Sequence, residues 1–192
     1  MKRLMLLRHA KAEPASIGDL SDEADHARPL ARRGWEDAEA LDASDAFRGH
    51  VPDLVLVSSA VRTRETLAAL SQLAAVETSV RDALYLAEAA TLRRALADLP
   101  ETVGHVLLVG HNPGLHMLCR QLAADPFGDA TPKHLQRAAR LDTGLPTCTM
   151  AVFAMQGPWG GLAEPDAHAA LVDLRTPDRT RRGPATGLRH DA

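Results

Sequence analysis

Three runs of uninterrupted apolar residues most constrain how this chain can fold: Leu4-Met5-Leu6-Leu7, Leu54-Val55-Leu56-Val57 and Val106-Leu107-Leu108-Val109. Successive side chains of an extended segment point to opposite faces, so a strand apolar at every position must be covered on both. Helical patterns lie between the runs, at about Trp35–Ala46, in the segment carrying Arg62, Thr66, Leu67 and Leu70, and at Ala89–Leu99 and Leu115–Leu122. This alternation predicts an α/β protein, a three-layer α/β/α sandwich around a mostly parallel central sheet. Weaker strand signals lie at Val76–Val80, Cys148–Ala154 and Ala169–Leu174, the last read as an edge strand. The stretches Lys11–Arg28 and Asp125–Asp142 read as loops, the second with room for a short helix. Residues 1–174 are expected to form one domain, and the Arg-, Pro- and Gly-rich segment Arg175–Ala192 a mobile tail.

In open sheets of this kind ligands bind beyond the carboxyl ends of the strands. Three such ends carry chemistry here: Arg8-His9, Ser58-Ser59 leading to Arg62, and Gly110-His111-Asn112-Pro113. Two guanidiniums and two imidazoles at one sheet edge would form an anion site, and the planar fork of arginine suits a phosphoryl group. Helix N-termini after the second and third runs would add partial positive charge, with Ser58 or Ser59 as N-cap. Arginine neighbours repel a divalent cation. They favour attack by a neutral imidazole on phosphorus, giving a phosphohistidine intermediate.

Composition narrows the alternatives. A net charge of −3 excludes a globally basic nucleic-acid binder, and an aromatic content of 3% leaves no stacking platform for single strands. The two cysteines, Cys119 and Cys148, match no zinc or disulfide framework, and packing is the reading for both. No apolar stretch reaches membrane-spanning length and no signal peptide is visible, so a cytoplasmic location without membrane partners is the expectation.

Taken together, Leu6-Leu7-Arg8-His9-Ala10-Lys11, Val57-Ser58-Ser59-Ala60-Val61-Arg62-Thr63-Arg64-Glu65-Thr66 and Val109-Gly110-His111-Asn112-Pro113 resemble three motifs of one family. This is the histidine phosphatase superfamily, the phosphoglycerate mutase-like group. Arg28-Pro29-Leu30 followed by Gly34, Pro146-Thr147-Cys148 and the lack of room for a cap domain resemble its small SixA-type phosphohistidine phosphatase branch. The resemblance covers roughly Met1 to Pro177.

That resemblance implies no metal and no organic cofactor, and it implies roles. His9 would be the nucleophile, Arg8 and Arg62 would hold the phosphoryl oxygens, and His111 would donate a hydrogen bond to them. The family's general acid points to Glu88, with Asp82 as a rival. Ala10 stands where larger relatives usually have Gly, and Lys11 where mutase-like relatives often have Glu, which argues against a mutase. The implied substrate is phosphohistidine in a protein, with histidine phosphotransfer domains as one class. Small phosphoesters and a non-catalytic phosphate- or phosphopeptide-binding module stay open, as does a metal hydrolase built on His9, His105, His111 and His116. His105 otherwise reads as a surface residue and His116 as structural, Arg3 and Arg64 as solvent-facing, and His26 and His134 as residues of polar or loop segments.

Overall fold

Among the described residues, six strands form one sheet in the order β3-β2-β4-β1-β5-β6. They are β1 (Lys2–Arg8), β2 (Leu54–Ser58), β3 (Glu77–Arg81), β4 (His105–Gly110), β5 (Met150–Met155) and β6 (Ala170–Arg175). The computed structural model describes residues 2–15, 17–44, 46–124, 131–164 and 166–177. Strands β1 to β4 run parallel, whereas β5 and β6 pair antiparallel along the β1 edge. The α-helices among the described residues are α1 (Asp22–His26), α2 (Arg32–Ala43), α3 (Val61–Ala68), α4 (Ala89–Ala97), α5 (Gly114–Leu122) and α6 (Pro132–Asp142).

The apolar runs divide by alternation, as strands covered on two faces must. Leu4, Leu6, Leu54, Leu56, Val106 and Leu108 enter one core with Leu92, Leu96, Leu115 and Leu118 of α4 and α5. Met5, Leu7, Val55, Val57, Leu107 and Val109 enter the other, with Ala38 and Leu41 of α2. Burying a Leu or Val side chain contributes about 1.5–3 kcal/mol, so the two half-cores lock each strand in register. No separate cap domain is present among the described residues, and no helix among them is long and apolar enough to cross a membrane.

Several expectations need correction. Lys11–Arg28 is not all loop, because Ser21 caps α1, its Oγ accepting a hydrogen bond from Ala24 N. The Ser-Asp-Glu signature of a helix start was readable there. The short helix allowed for within Asp125–Asp142 is present as the eleven-residue α6, started by Thr131 as N-cap with Pro132 in its first turn; residues 125–130 lie outside the described residues. His134 is a buried tie rather than a loop residue: Nε2 donates to Ala123 O and Nδ1 accepts from Leu171 N. Arg175 belongs to β6, opposite Met150, and bonds to Ala46 O and Asp173. The remainder of the expected tail, residues 178–192, lies outside the described residues. Helix α2 begins at Arg32, ahead of Trp35, and Gly34 in its first turn meets the Lys11 carbonyl so closely that a Cβ there would lie 2.1 Å from the oxygen.

Candidate active site

The sheet order places β4 between β2 and β1, so the three polar strand ends lie side by side. Arg8 is opposite Gly110, and His9 N donates to Gly110 O at 3.1 Å. The helices that follow β1 and β4 pack on opposite faces, α2 in one core and α5 in the other. Neighbouring strands whose connections diverge in this way open a crevice at their carboxyl ends.

His9, Arg8, Arg62 and His111 converge there. The His9 and His111 rings are 5.1 Å apart, centre to centre. His9 Nδ1 lies 2.7 Å from the Ala10 carbonyl, which can only accept, so Nδ1 carries the hydrogen and Nε2 the lone pair. Burial, followed by the charges of Arg62, Arg8 and Arg28, lowers the His9 pKa to about 4 against the opposing Ala10 bond. Burial also lowers His111 to about 3, with His9 and Arg62 adding and Asp25 opposing. Both rings are therefore neutral at pH 7.

The motif spacings acquire physical reasons. Thr66 Oγ1 donates to Arg62 O one helical turn back and accepts from Ala10 N, so it ties α3 to the end of β1. Ser58 does not cap α3. Its hydroxyl meets His111 Nε2 at 2.8 Å because β2 and β4 are neighbours, and Ser59 bonds to His26 at 2.9 Å. The N-cap is Ala60, which has no side-chain bond to offer. The turn Leu145–Thr149 forms a wall: Leu145 O accepts from Arg8 Nη1 and Asn112 Nδ2, and Cys148 N donates to the carbonyls of Arg8 and His9.

Buried polar atoms without a protein partner collect at this edge. They include Arg8 Nε, His111 Nδ1, Asn112 Oδ1 and Thr149 Oγ1. Since buried donors and acceptors are nearly always paired, such a cluster marks a binding position. Two of these atoms are nitrogens that can donate to an oxyanion.

Glu88, Asp82, His105 and His116 are carried by other positions of the fold. Glu88 is exposed at the N-cap position of α4. Its backbone is brought close by Gly114, where a Cβ would lie 1.9 Å from Ala87 O and 3.0 Å from the Glu88 carbonyl carbon. Asp82 is exposed and opens the turn after β3. His105 begins β4 and His111 follows its end, about 20 Å apart at ~3.3 Å per residue. His116 Nε2 donates to Leu141 O. The four-histidine metal cluster therefore does not form, and no group of three or more His, Cys, Asp or Glu among the described residues is placed to hold a metal. Cys119 and Cys148 are buried, and Arg64 is exposed, as read.

Residues that motif reading did not single out complete the site. Asp25 of α1 accepts from Arg62 Nη2 at 2.9 Å through Oδ2 and from Arg28 Nη1 at 2.7 Å through Oδ1. Tyr85 OH donates to Asp25 Oδ2 at 2.6 Å, and the Tyr85 ring stands edge-on to both His26 and His111.

The neutral state of His9 has a measurable consequence. An unfolded histidine titrates near 6.5 and folded His9 near 4, so between these values the unfolded chain binds more protons. Stability is expected to hold above pH 6.5 and to fall as pH drops towards 4, by about 1.4 kcal/mol per pH unit for this group. Urea unfolding at pH 7.5, 6 and 4.5 reads the slope, and part of it should vanish in His9→Gln. Equal slopes in the two proteins would contradict the assignment.

No protein-family profile matches the chain. It is 36% identical over 174 residues to an uncharacterised protein of Mycobacterium tuberculosis, covering 89% of this chain and 99% of that one. A solved structure from Nakamurella multipartitia, proposed to be the phosphohistidine phosphatase SixA, superposes with TM-score 0.72 at 32% identity, covering 92% of this chain and 96% of that one. A structure from Agrobacterium tumefaciens with the same proposed identity gives 0.71 at 30%, covering 92% and 98%.

Proposed function

The chain belongs to the histidine phosphatase superfamily, and from that premise we propose that it is a phosphatase working through a phosphorylated His9, with phosphohistidine in proteins as its substrate. The observation that carries the reading is the neutral, hydrogen-bond-oriented His9 beside unpartnered Arg8 Nε and His111 Nδ1.

The steps follow from the geometry. Substrate phosphoryl oxygens are held by Arg8 and Arg62, whose planar N–H groups match them. His9 Nε2 attacks phosphorus in line with the leaving group. The P–N or P–O bond breaks, and the leaving atom takes a proton. With Ser58 donating to His111 Nε2, the remaining ring hydrogen sits on Nδ1 and donates to the equatorial oxygens, where charge accumulates. Water then attacks the phosphohistidine, releasing phosphate and restoring neutral His9. Glu88 would supply the leaving-group proton. A phosphoramidate nitrogen that arrives protonated needs little help from an acid, which is compatible with the exposure of Glu88. The absence of a covering domain among the described residues suits a phosphorylated protein surface better than an enclosed small molecule.

The test compares phosphate release from a phosphohistidine-bearing protein and from a small phosphomonoester, each with and without EDTA. A higher kcat/KM on the protein, unaffected by chelator, is expected. Preference for the monoester would assign the site to small phosphoesters, and loss of activity with EDTA would overturn the metal-free mechanism. Binding of phosphate without turnover of either substrate would favour a binding module.

A further inference from the structure

Helix α1 has five residues and buries none of them. A helix that short is not stable alone, so its position depends on what it touches. Its contacts are with the site: Asp25 O and Oδ2 accept from Arg62, Asp25 Oδ1 accepts from Arg28, Tyr85 OH donates to Oδ2, and His26 bonds to Ser59. Arg62 and Arg28 both count among the charges that act on His9. Arg62 is buried and Arg28 is partly exposed, anchored by its Nε to Glu13 O. Two guanidiniums directed at one point repel each other, and a carboxylate bridging them offsets that repulsion. With neutral histidines, Arg8, Arg28 and Arg62 less Asp25 leave the cluster at +2, the complement of a phosphoryl dianion.

We propose that Asp25 is a positioning residue whose carboxylate bridges Arg62 and Arg28, making Arg28 a third guanidinium that binds the substrate's phosphoryl group at the mouth of the site. This rests on the phosphatase reading for its substrate but is read out separately, through anion binding. Tyr85 supports the bridge by fixing Oδ2.

The sign of one substitution separates positioning from background charge. Asp25→Asn removes a negative charge beside an anion site, so if charge alone mattered, anions would bind more tightly. If Asp25 positions the arginines, binding weakens although the local charge has become more positive.

Calorimetric titration of the full chain with orthophosphate tests this. Asp25→Asn is expected to weaken binding about tenfold, a common cost of losing preorganisation. Arg28→Gln should weaken it in the wild-type background and add little in Asp25→Asn, because the two act as one unit. Tyr85→Phe, which removes only the hydroxyl, should act in the same direction more weakly, and it keeps the test alive should Asp25→Asn fold poorly. Unchanged or tighter binding in Asp25→Asn, or in Tyr85→Phe if that variant alone is folded, overturns the proposal, as do additive losses with Arg28→Gln or a wild-type protein that binds no orthophosphate. Turnover by the wild type, and its dependence on His9, reports on the phosphatase reading independently.

Discussion

His9→Ala is expected to abolish turnover, lowering kcat by ~10⁴-fold or more, the scale on which losing a nucleophile acts. With His9 gone, the proposed route through phosphohistidine is closed. The nearby hydroxyl of Ser58 is committed to His111, and His111 Nε2 to Ser58. The fold should survive, because the cores around Leu4–Leu7 do not use the imidazole. Orthophosphate should still bind through Arg8 and Arg62. Steady-state phosphate release gives the rate. A labelled substrate quenched in alkali, where phosphohistidine persists, should mark the wild-type chain and leave His9→Ala unmarked. A variant retaining more than about one hundredth of wild-type turnover would refute the nucleophile assignment.

Arg62→Ala should lower kcat/KM by ~10²–10³, the cost of removing one charged donor from a developing oxyanion. Arg62 is nearly inaccessible to solvent and both its terminal nitrogens bond to Asp25, so its orientation is set before substrate arrives. Arg62→Lys should recover little, since an ammonium cannot span two oxygens as a planar fork does. A second readout follows from charge. Arg62 helps depress the His9 pKa, so its removal should shift the acid limb of the kcat/KM profile upward, towards 6.5. A loss of threefold or less (about 0.6 kcal/mol), with an unmoved acid limb, would remove Arg62 from the site.

The strand-end residues were readable because each sits directly after an apolar run, where parallel sheets present their ligands. The spacing from Arg62 to Thr66 was readable as a motif, and the structure supplies its cause, one helical turn closed by Thr66 Oγ1. Asp25, His26, Tyr85 and the Leu145 carbonyl were not readable. Asp25 is 37 residues from Arg62 and Tyr85 is 60 from Asp25, and no local periodicity links them. The buried role of His134 was hidden for the same reason, since its partners lie at Ala123 and Leu171. Gly114 packs against the backbone of Ala87 and Glu88, a close approach that no pattern around Glu88 reveals.

An uninterrupted four-residue apolar run is a local property, so the amino-acid order alone determined the α/β class, the central strands and the polar residues that follow them. Which strand lies beside which is a property of the whole sheet. Only the tertiary structure decided that β4 inserts between β2 and β1, bringing Ser58 to His111 and His111 to His9. Burial among those neighbours, and the arginines around them, then made both imidazoles neutral.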